Sequence, residues 1–190
     1  LKNHGGVKGL YTSTLFKYKR RLLEHISPAL EMGRSFVRVE YQKSFSGLLL
    51  LWKGLALFVC RFPQYKILFG PVSINNEYQT SSRLLLVAFL KVSNFAPYLA
   101  RLVKARRPLR ANPLKAWKLR KSHAVVNDLA EVESLIADIE TDLKGIPILL
   151  KQYLKLGGKL LGFNIDPDFS NVLDGLILVD LTKTDPTILV

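Results

Sequence analysis

The sequence predicts a single α/β domain in which a mixed sheet is flanked by helices. Side chains alternate strictly between two faces over residues 36–41, as they do in a strand. Residues 47–60 are too long and too rich in leucine for a strand, which indicates a helix buried against the sheet. Two strand-like segments, 159–164 and 175–181, close the pattern. The chain has 190 residues, 48% of them hydrophobic, which suffices for one buried core.

The other segments complete the order of elements. Gly70 and Pro71 are expected to interrupt a strand, and Ser81 and Ser82 fit the solvent side of the helix that follows. The remaining expected elements are an edge strand at 8–18, a strand at 65–74, and helices at 77–95, 128–142 and 148–156.

The chain is strongly basic, with 28 Lys and Arg against 15 Asp and Glu and a formal charge of +13. Such a charge attracts nucleic acid, anionic lipid, phosphate-bearing cofactors or acidic carrier proteins. Nine of the basic residues fall in an excursion at about 101–123, which contains no acidic residue. The single cysteine, Cys60, excludes an internal disulfide and fits a reducing cytoplasm. The longest apolar stretch, about 14 residues, is shorter than the roughly 20 that a membrane span needs.

Residues 31–37 have the sequence EMGRSFV. On a strand, positions three apart project to opposite faces, so Glu31 and Arg34 share one site only if the strand bulges at Gly33. Taken by spacing alone, the two residues fit solvated charges on an edge strand better than a shared site.

The pattern E-x-x-R-[FST]-x-V resembles the signature of acyl-homoserine-lactone synthases and of ornithine-lipid and glycine-lipid N-acyltransferases. Both groups are similar to the Gcn5-related acetyltransferase fold. The resemblance implies that Glu31 assists deprotonation of an acceptor amine and that Arg34 positions the substrate. It also implies that the chain, which begins at Leu1 rather than Met, is a fragment lacking part of the N-terminal region.

A second stretch resembles the donor-binding loop of that fold. The acyl-phosphopantetheine thioester would lie along the predicted strand at Val37 and Val39. The loop before the helix would then hold its phosphate with backbone N–H groups. The loop residues are Gln42, Lys43, Ser44, Phe45, Ser46 and Gly47. Phe45 stands where the usual pattern has a glycine, which favours acyl carrier protein over coenzyme A as the donor.

A third stretch, residues 145–180, resembles the closing segment of the same lipid-forming family, whose members are often catalogued as hemolysin-like. Asp166 and Asp168 lie in its D-P-D-F turn and either bind a cationic amine or serve as ordinary turn residues. Asn171 and Asp174 are open to the same turn interpretation.

Two functions follow. The first is an N-acyltransferase that moves a fatty acyl group from acyl carrier protein or acyl-CoA to an amino acid in aminolipid synthesis. We expect no permanently bound cofactor and no metal, because His4, His25 and His123 lack ligand spacing. It would be cytoplasmic, with peripheral contact to the anionic inner membrane and no nucleic-acid partner. The alternative is a non-catalytic basic module that binds anionic membranes or nucleic acid through residues 101–121.

Overall fold

The computed structural model describes residues 6–33, 35–41, 45–110, 128–185 and 187. Its strands are β1 (Phe16–Tyr18), β2 (Ala29–Glu31), β3 (Ile67–Ile74), β4 (Val103–Ala105), β5 (Lys159–Asp166) and β6 (Val172–Asp180). The main sheet has the order β2-β3-β6-β5, with β2 parallel to β3 and the other pairs antiparallel. β1 and β4 form a separate antiparallel pair. The predicted mixed sheet is therefore confirmed.

Helices flank this sheet. They are α1 (Arg20–Ile26), α2 (Phe45–Arg61), α3 (Thr80–Ser93), α4 (Pro97–Ala100), α5 (Leu129–Ile139) and α6 (Ile148–Lys155). Short 3-10 helices lie at Gly6–Gly9, Tyr11–Thr14, Val39–Tyr41 and Pro167–Phe169. The predicted helices at 77–95, 128–142 and 148–156 are confirmed as α3, α5 and α6. The predicted strands at 65–74, 159–164 and 175–181 correspond to β3, β5 and β6.

Alternate side chains of the central strand β6 enter two separate cores. Leu173 and Ile177 pack with α3, α5 and α6, while Leu176 packs with the N-terminal segment on the other face. This period of two is what a strand buried on both faces requires. Ser82 was expected on the solvent side of α3, but it is 1% exposed, because α3 is packed over most of its circumference.

The edge strand β2 ends where β3 contains Gly70 and Pro71. Met32 still donates its N–H to the carbonyl of Phe69, at 2.7 Å. The next bond of a parallel ladder would come from the nitrogen of Pro71, which carries no hydrogen. The carbonyl of Met32 also lies so close over Gly70 that a Cβ there would overlap it. The chain therefore leaves the sheet after Met32.

Gly70 and Pro71 do not interrupt β3 as predicted. The strand runs unbroken from Ile67 to Ile74 because β6 pairs with it over its whole length, including both residues.

The strand predicted at 36–41 does not form, and this prediction was wrong. Residues 35–38 are irregular, and Val39–Tyr41 form a 3-10 helix. The alternation was present in the sequence, but the chain had already left its partner strand, so there was no ladder to join. Phe36 and Val39 are consequently 78% and 77% exposed.

α2 is a helix as predicted, but it is not buried. Trp52, Leu55 and Val59 pack against the core, whereas Leu50 and Leu57 on the opposite side are 65% and 71% exposed. Leucine content alone predicted that every face of α2 would be buried. In the structure, the described residues pack against only one face of the helix. Among the described residues, no helix combines the length and the apolar character needed to cross a membrane.

The N-terminal and basic segments pair with each other. The predicted edge strand at 8–18 is reduced to β1, preceded by two 3-10 helices. Its partner β4 lies at the start of the basic excursion. Residues 111–123 of that excursion lie outside the described residues.

Gly70→Ala should destabilise the protein by about 2 kcal/mol or more, because the methyl group overlaps the Met32 carbonyl. Gly54→Ala is the matched control: a Cβ there meets nothing within 4 Å, so the change should stabilise α2 by about 0.5–1 kcal/mol. Urea denaturation of both variants measures the difference. Equal stability of the two variants would contradict the close approach.

Candidate active site

A cleft of about 900 Å³ opens where β2 parts from β3. Met32 and Gly33 lie at its rim, Pro71 and Ser73 of β3 form part of its floor, and α2 forms one wall. Its size is typical of a small-molecule site. The parting of two neighbouring strands thus creates a cavity lined by described residues.

One part of the cleft is apolar. Leu51, Trp52 and Leu55 of α2 face Leu149 and Tyr153 of α6 across it. The rings of Trp52 and Tyr153 meet edge-on with their centroids 5.3 Å apart, which fixes the two helices against each other. This part suits a hydrocarbon chain.

The other part is polar and carries charges of both signs. Asp166 and Asp168 contribute carboxylates, and Arg106 and Arg107 line the same cleft from the segment after β4. Backbone bonds hold the segment in place: Ile165 donates its N–H to the carbonyl of Arg107 at 2.8 Å. An acceptor with an ammonium and a carboxylate would find partners for both groups here.

Three polar residues form a row across three strands at this polar end. Asp174 of β6 is paired with Ser73 of β3 on one side and with Asn164 of β5 on the other. Ser73 Oγ donates a hydrogen bond of 2.6 Å to Asp174 Oδ1. Asn164 Oδ1 accepts the N–H of Arg107 at 2.7 Å, so its amide also ties the Arg segment to the sheet.

Asp174 is the carboxyl of this row, and its pKa is shifted upward. The residue is only 2% exposed. Burial raises its pKa to about 6, the nearby charge of Asp166 adds to the rise, and the hydrogen bond from Ser73 opposes it. A carboxyl with such a pKa exchanges protons near neutral pH.

Glu31, the predicted proton acceptor, holds the N-terminal segment. Its carboxylate accepts the N–H of Tyr11 at 3.0 Å, the N–H of Thr12 at 2.8 Å and the hydroxyl of Thr12 at 2.5 Å. It faces a smaller cavity that shares Tyr11, Thr14 and Gly33 with the main cleft. The side chain thus borders the site, where it anchors the N-terminal segment through Tyr11 and Thr12.

Glu31 and the polar end are separated along the sheet. Glu31 is level with Phe69 of β3, and Ser73 lies four residues further along that strand. At about 3.3 Å per residue, the separation is about 13 Å. One amine nitrogen therefore does not contact both groups.

The predicted donor-binding residues are only partly described. Arg34, Gln42, Lys43 and Ser44 lie outside the described residues, and of Phe45 and Ser46 only the backbone, at the start of α2, is described. Val37 lines the cleft and lies against Gly47, where a Cβ would come within 2.6 Å of it. Val39 is exposed in the 3-10 helix.

Asp166 and Asp168 form the expected turn, and binding of a cationic amine by them stays a prediction. Asp166 Oδ1 accepts the N–H of Asp168 at 3.0 Å, an ordinary turn cap, and both residues line the cleft. Sequence reasoning missed Ser73, and it placed Asp174 in the turn because the last strand was expected to begin at residue 175 rather than at Val172. A polar side chain inside each of two apolar strands was the available signal.

Within the described ranges, no group of three His, Cys, Asp or Glu side chains is arranged to hold a metal ion. The polar groups that line the cleft are carboxyl, hydroxyl, amide and guanidinium groups.

Comparison with known proteins supports an acyltransferase. Residues 2–53 match the family model described as Acetyltransferase (GNAT) domain. A Glycine N(alpha)-acyltransferase of Bacteroides thetaiotaomicron is 32% identical over 96 residues, which cover 47% of this chain and 28% of that protein. A Glycine N(alpha)-acyltransferase of Phocaeicola vulgatus is 25% identical over 194 residues, covering 94% of this chain and 56% of that protein. No solved structure matches significantly.

The domain match confirms the resemblance to Gcn5-related acyltransferases, and the mixed sheet flanked by helices agrees with that fold. The chain spans only 28% and 56% of the length of the two relatives. The ornithine-lipid and glycine-lipid assignment and the hemolysin-like label stay predictions.

Asp174→Asn should stabilise the protein increasingly as the pH rises. A carboxyl whose folded-state pKa is raised, from 3.8 to about 6, contributes stability below pH 3.8 that is lost as the pH rises through 6. Asparagine carries no charge at any pH. The difference in free energy of unfolding between the variant and the wild type should therefore grow by about 1 kcal/mol, in favour of the variant, from pH 5 to pH 8. Urea denaturation at both pH values measures it, and a pH-independent difference would contradict the raised pKa.

Proposed function

We propose that this protein transfers a fatty acyl group from a thioester to the amino group of an amino acid within the cleft. The observation that carries the proposal is the division of one cleft into an apolar part and a polar end with both signs of charge. The acyl chain would lie between α2 and α6. The acceptor would lie at Asp166, Asp168, Arg106 and Arg107.

The acceptor class follows from the charges at the polar end. An amino acid carries an ammonium, which pairs with carboxylates, and a carboxylate, which pairs with guanidinium groups. The two similar proteins bear the name Glycine N(alpha)-acyltransferase. Glycine is therefore the first acceptor to test, with ornithine second, and the product would be an aminolipid or its precursor.

The donor would be acyl carrier protein or acyl-CoA. Both present a phosphopantetheine thioester, and the formal charge of +13 favours either acidic donor. GNAT acyltransferases use acyl-CoA, so acyl carrier protein as the donor goes beyond the domain match. The irregular segment 35–38, beside the cleft, would take the place of the strand expected to hold the pantetheine.

The assay is to incubate the purified protein with acyl carrier protein or acyl-CoA and with glycine or ornithine, and to detect the N-acyl product by mass spectrometry. We expect product with at least one donor–acceptor pair. Absence of product with every pair, together with salt-sensitive binding to nucleic acid, would favour the basic binding module instead.

Substitution of Glu31 separates its predicted catalytic role from its observed anchoring role. If Glu31 accepts the proton of the amine, Glu31→Gln should lower kcat about 100-fold. Thr12→Val is the matched control, because it removes one hydrogen bond to Glu31 and leaves the carboxylate. If Glu31 only anchors, both variants should lose stability by about 1 kcal/mol and keep most activity. Activity and urea denaturation of each variant distinguish the two roles.

We also propose peripheral contact between α2 and an anionic membrane. Its outward side presents Leu50 and Leu57, flanked by Lys53 and Arg61, and α2 contains no acidic residue. Apolar side chains bordered by cations match a bilayer surface with anionic headgroups. The inward side of the same helix lines the cleft, so an acylated product would leave beside the bilayer.

Replacing both Leu50 and Leu57 with Glu should abolish sedimentation with vesicles containing phosphatidylglycerol, because it removes apolar contact and adds negative charge. Val92→Glu, at a residue 71% exposed on α3, is the control and should bind as the wild type does. Equal binding of the two variants would reject the contact. A wild-type dimer that the double substitution dissociates would assign this face to a second copy.

A further inference from the structure

Ser73 and Asp174 form a pair that joins the cleft to a buried proton acceptor. The serine lines the cleft, and its hydroxyl donates to Asp174 Oδ1 at 2.6 Å. Asp174 itself is 2% exposed, in a strand whose neighbouring residues are buried and apolar. A carboxyl in such a place costs stability, since a neutral side chain would pack there without desolvation of a charge, and this cost indicates a functional role.

We propose that Ser73 and Asp174 form the site that takes the proton from the acceptor amine. Ser73 Oγ would contact the nitrogen, and Asp174 would act through it, orienting the hydroxyl and receiving its proton. The inference rests on the proposed acyl transfer. It deepens that proposal, because it assigns the deprotonation to the polar end of the cleft.

The position of the pair supports this assignment. Asp166, a candidate partner for the ammonium, lies on β5 two residues beyond Asn164, which is level with Asp174. The charge of Asp166 acts on Asp174, which accepts the hydrogen bond from Ser73, so an ammonium held at Asp166 lies at the same end of the cleft as the pair. Glu31 lies about 13 Å away along the sheet, with its carboxylate engaged by Tyr11 and Thr12.

The proton transfers balance without a co-reactant. The ammonium gives one proton to Ser73 Oγ as Ser73 gives its own to the Asp174 carboxylate. The neutral amine attacks the thioester carbon, forming the C–N bond. The tetrahedral intermediate then breaks its C–S bond, and the second nitrogen proton goes to the departing sulfur. Amide and thiol result, and Asp174 releases its proton to solvent to restore the carboxylate.

The acidity of Asp174 suits this task, because burial raises its pKa to about 6 and brings it closer to that of an amine. Neighbouring charges also influence it. The titratable and charged side chains that line the cleft are Tyr11, Arg106, Arg107, Tyr153, Asp166 and Asp168. The carboxylate of Asp166 adds to the rise.

The experiment compares Ser73→Ala and Asp174→Asn with Asp180→Asn in the acyl-transfer assay over a range of pH. Asp180 lies at the other end of β6, where it accepts hydrogen bonds from Thr182, so this control should keep wild-type kcat/KM. At pH 7 we expect the two test variants to lose about 100-fold in kcat/KM for the amine, with the KM of the thioester unchanged. The loss should shrink as the pH approaches the pKa of the free amine, because solvent then removes the proton.

The outcomes separate the inference from the proposed function. Wild-type activity retained by both test variants, or a loss that stays constant with pH, would overturn the proton-accepting role and leave acyl transfer standing. No product from the wild type with any thioester would overturn acyl transfer itself. If Asp174→Asn does not fold, Ser73→Ala decides, since Ser73 is exposed and its substitution leaves the buried carboxyl in place.

Discussion

The close approach of the Met32 carbonyl to Gly70 is the constraint on which the cleft depends. Only glycine admits that approach, and Pro71 supplies no N–H to extend the parallel ladder. β2 therefore ends early, while β3 continues because β6 pairs with it throughout. The space that opens between the end of β2 and the continuing β3 forms the candidate active site.

The same departure sets the environment of α2. The segment after Met32 crosses out of the sheet and leads into a helix that packs along one side only. Its inner side lines the apolar part of the cleft, and its outer leucines remain exposed. The proposed acyl-chain site and the proposed bilayer surface are thus two sides of one helix.

Sequence patterns located most of the regular elements and the motif around Glu31, because hydrophobic periodicity and short motifs are local properties. They failed where contacts with other parts of the chain determine the local structure. Residues 36–41 alternate like a strand but have no partner to pair with. Ser82 was predicted to face solvent, but it is buried because α3 is packed on nearly all sides. Asp174 looked like a turn residue because the start of β6 was misplaced by a few residues.

The sequence by itself determined the class of fold, the basic character of the chain and the resemblance to acyltransferases. Composition, periodicity and the order of motifs are properties of the sequence alone. The tertiary structure alone decided what shares a site. Ser73 and Asp174 are 101 residues apart in the chain, and their hydrogen bond exists because the register of β3 and β6 sets them opposite each other. Glu31 was found to anchor Thr12 for the same reason: long-range contacts depend on packing, which no local pattern specifies.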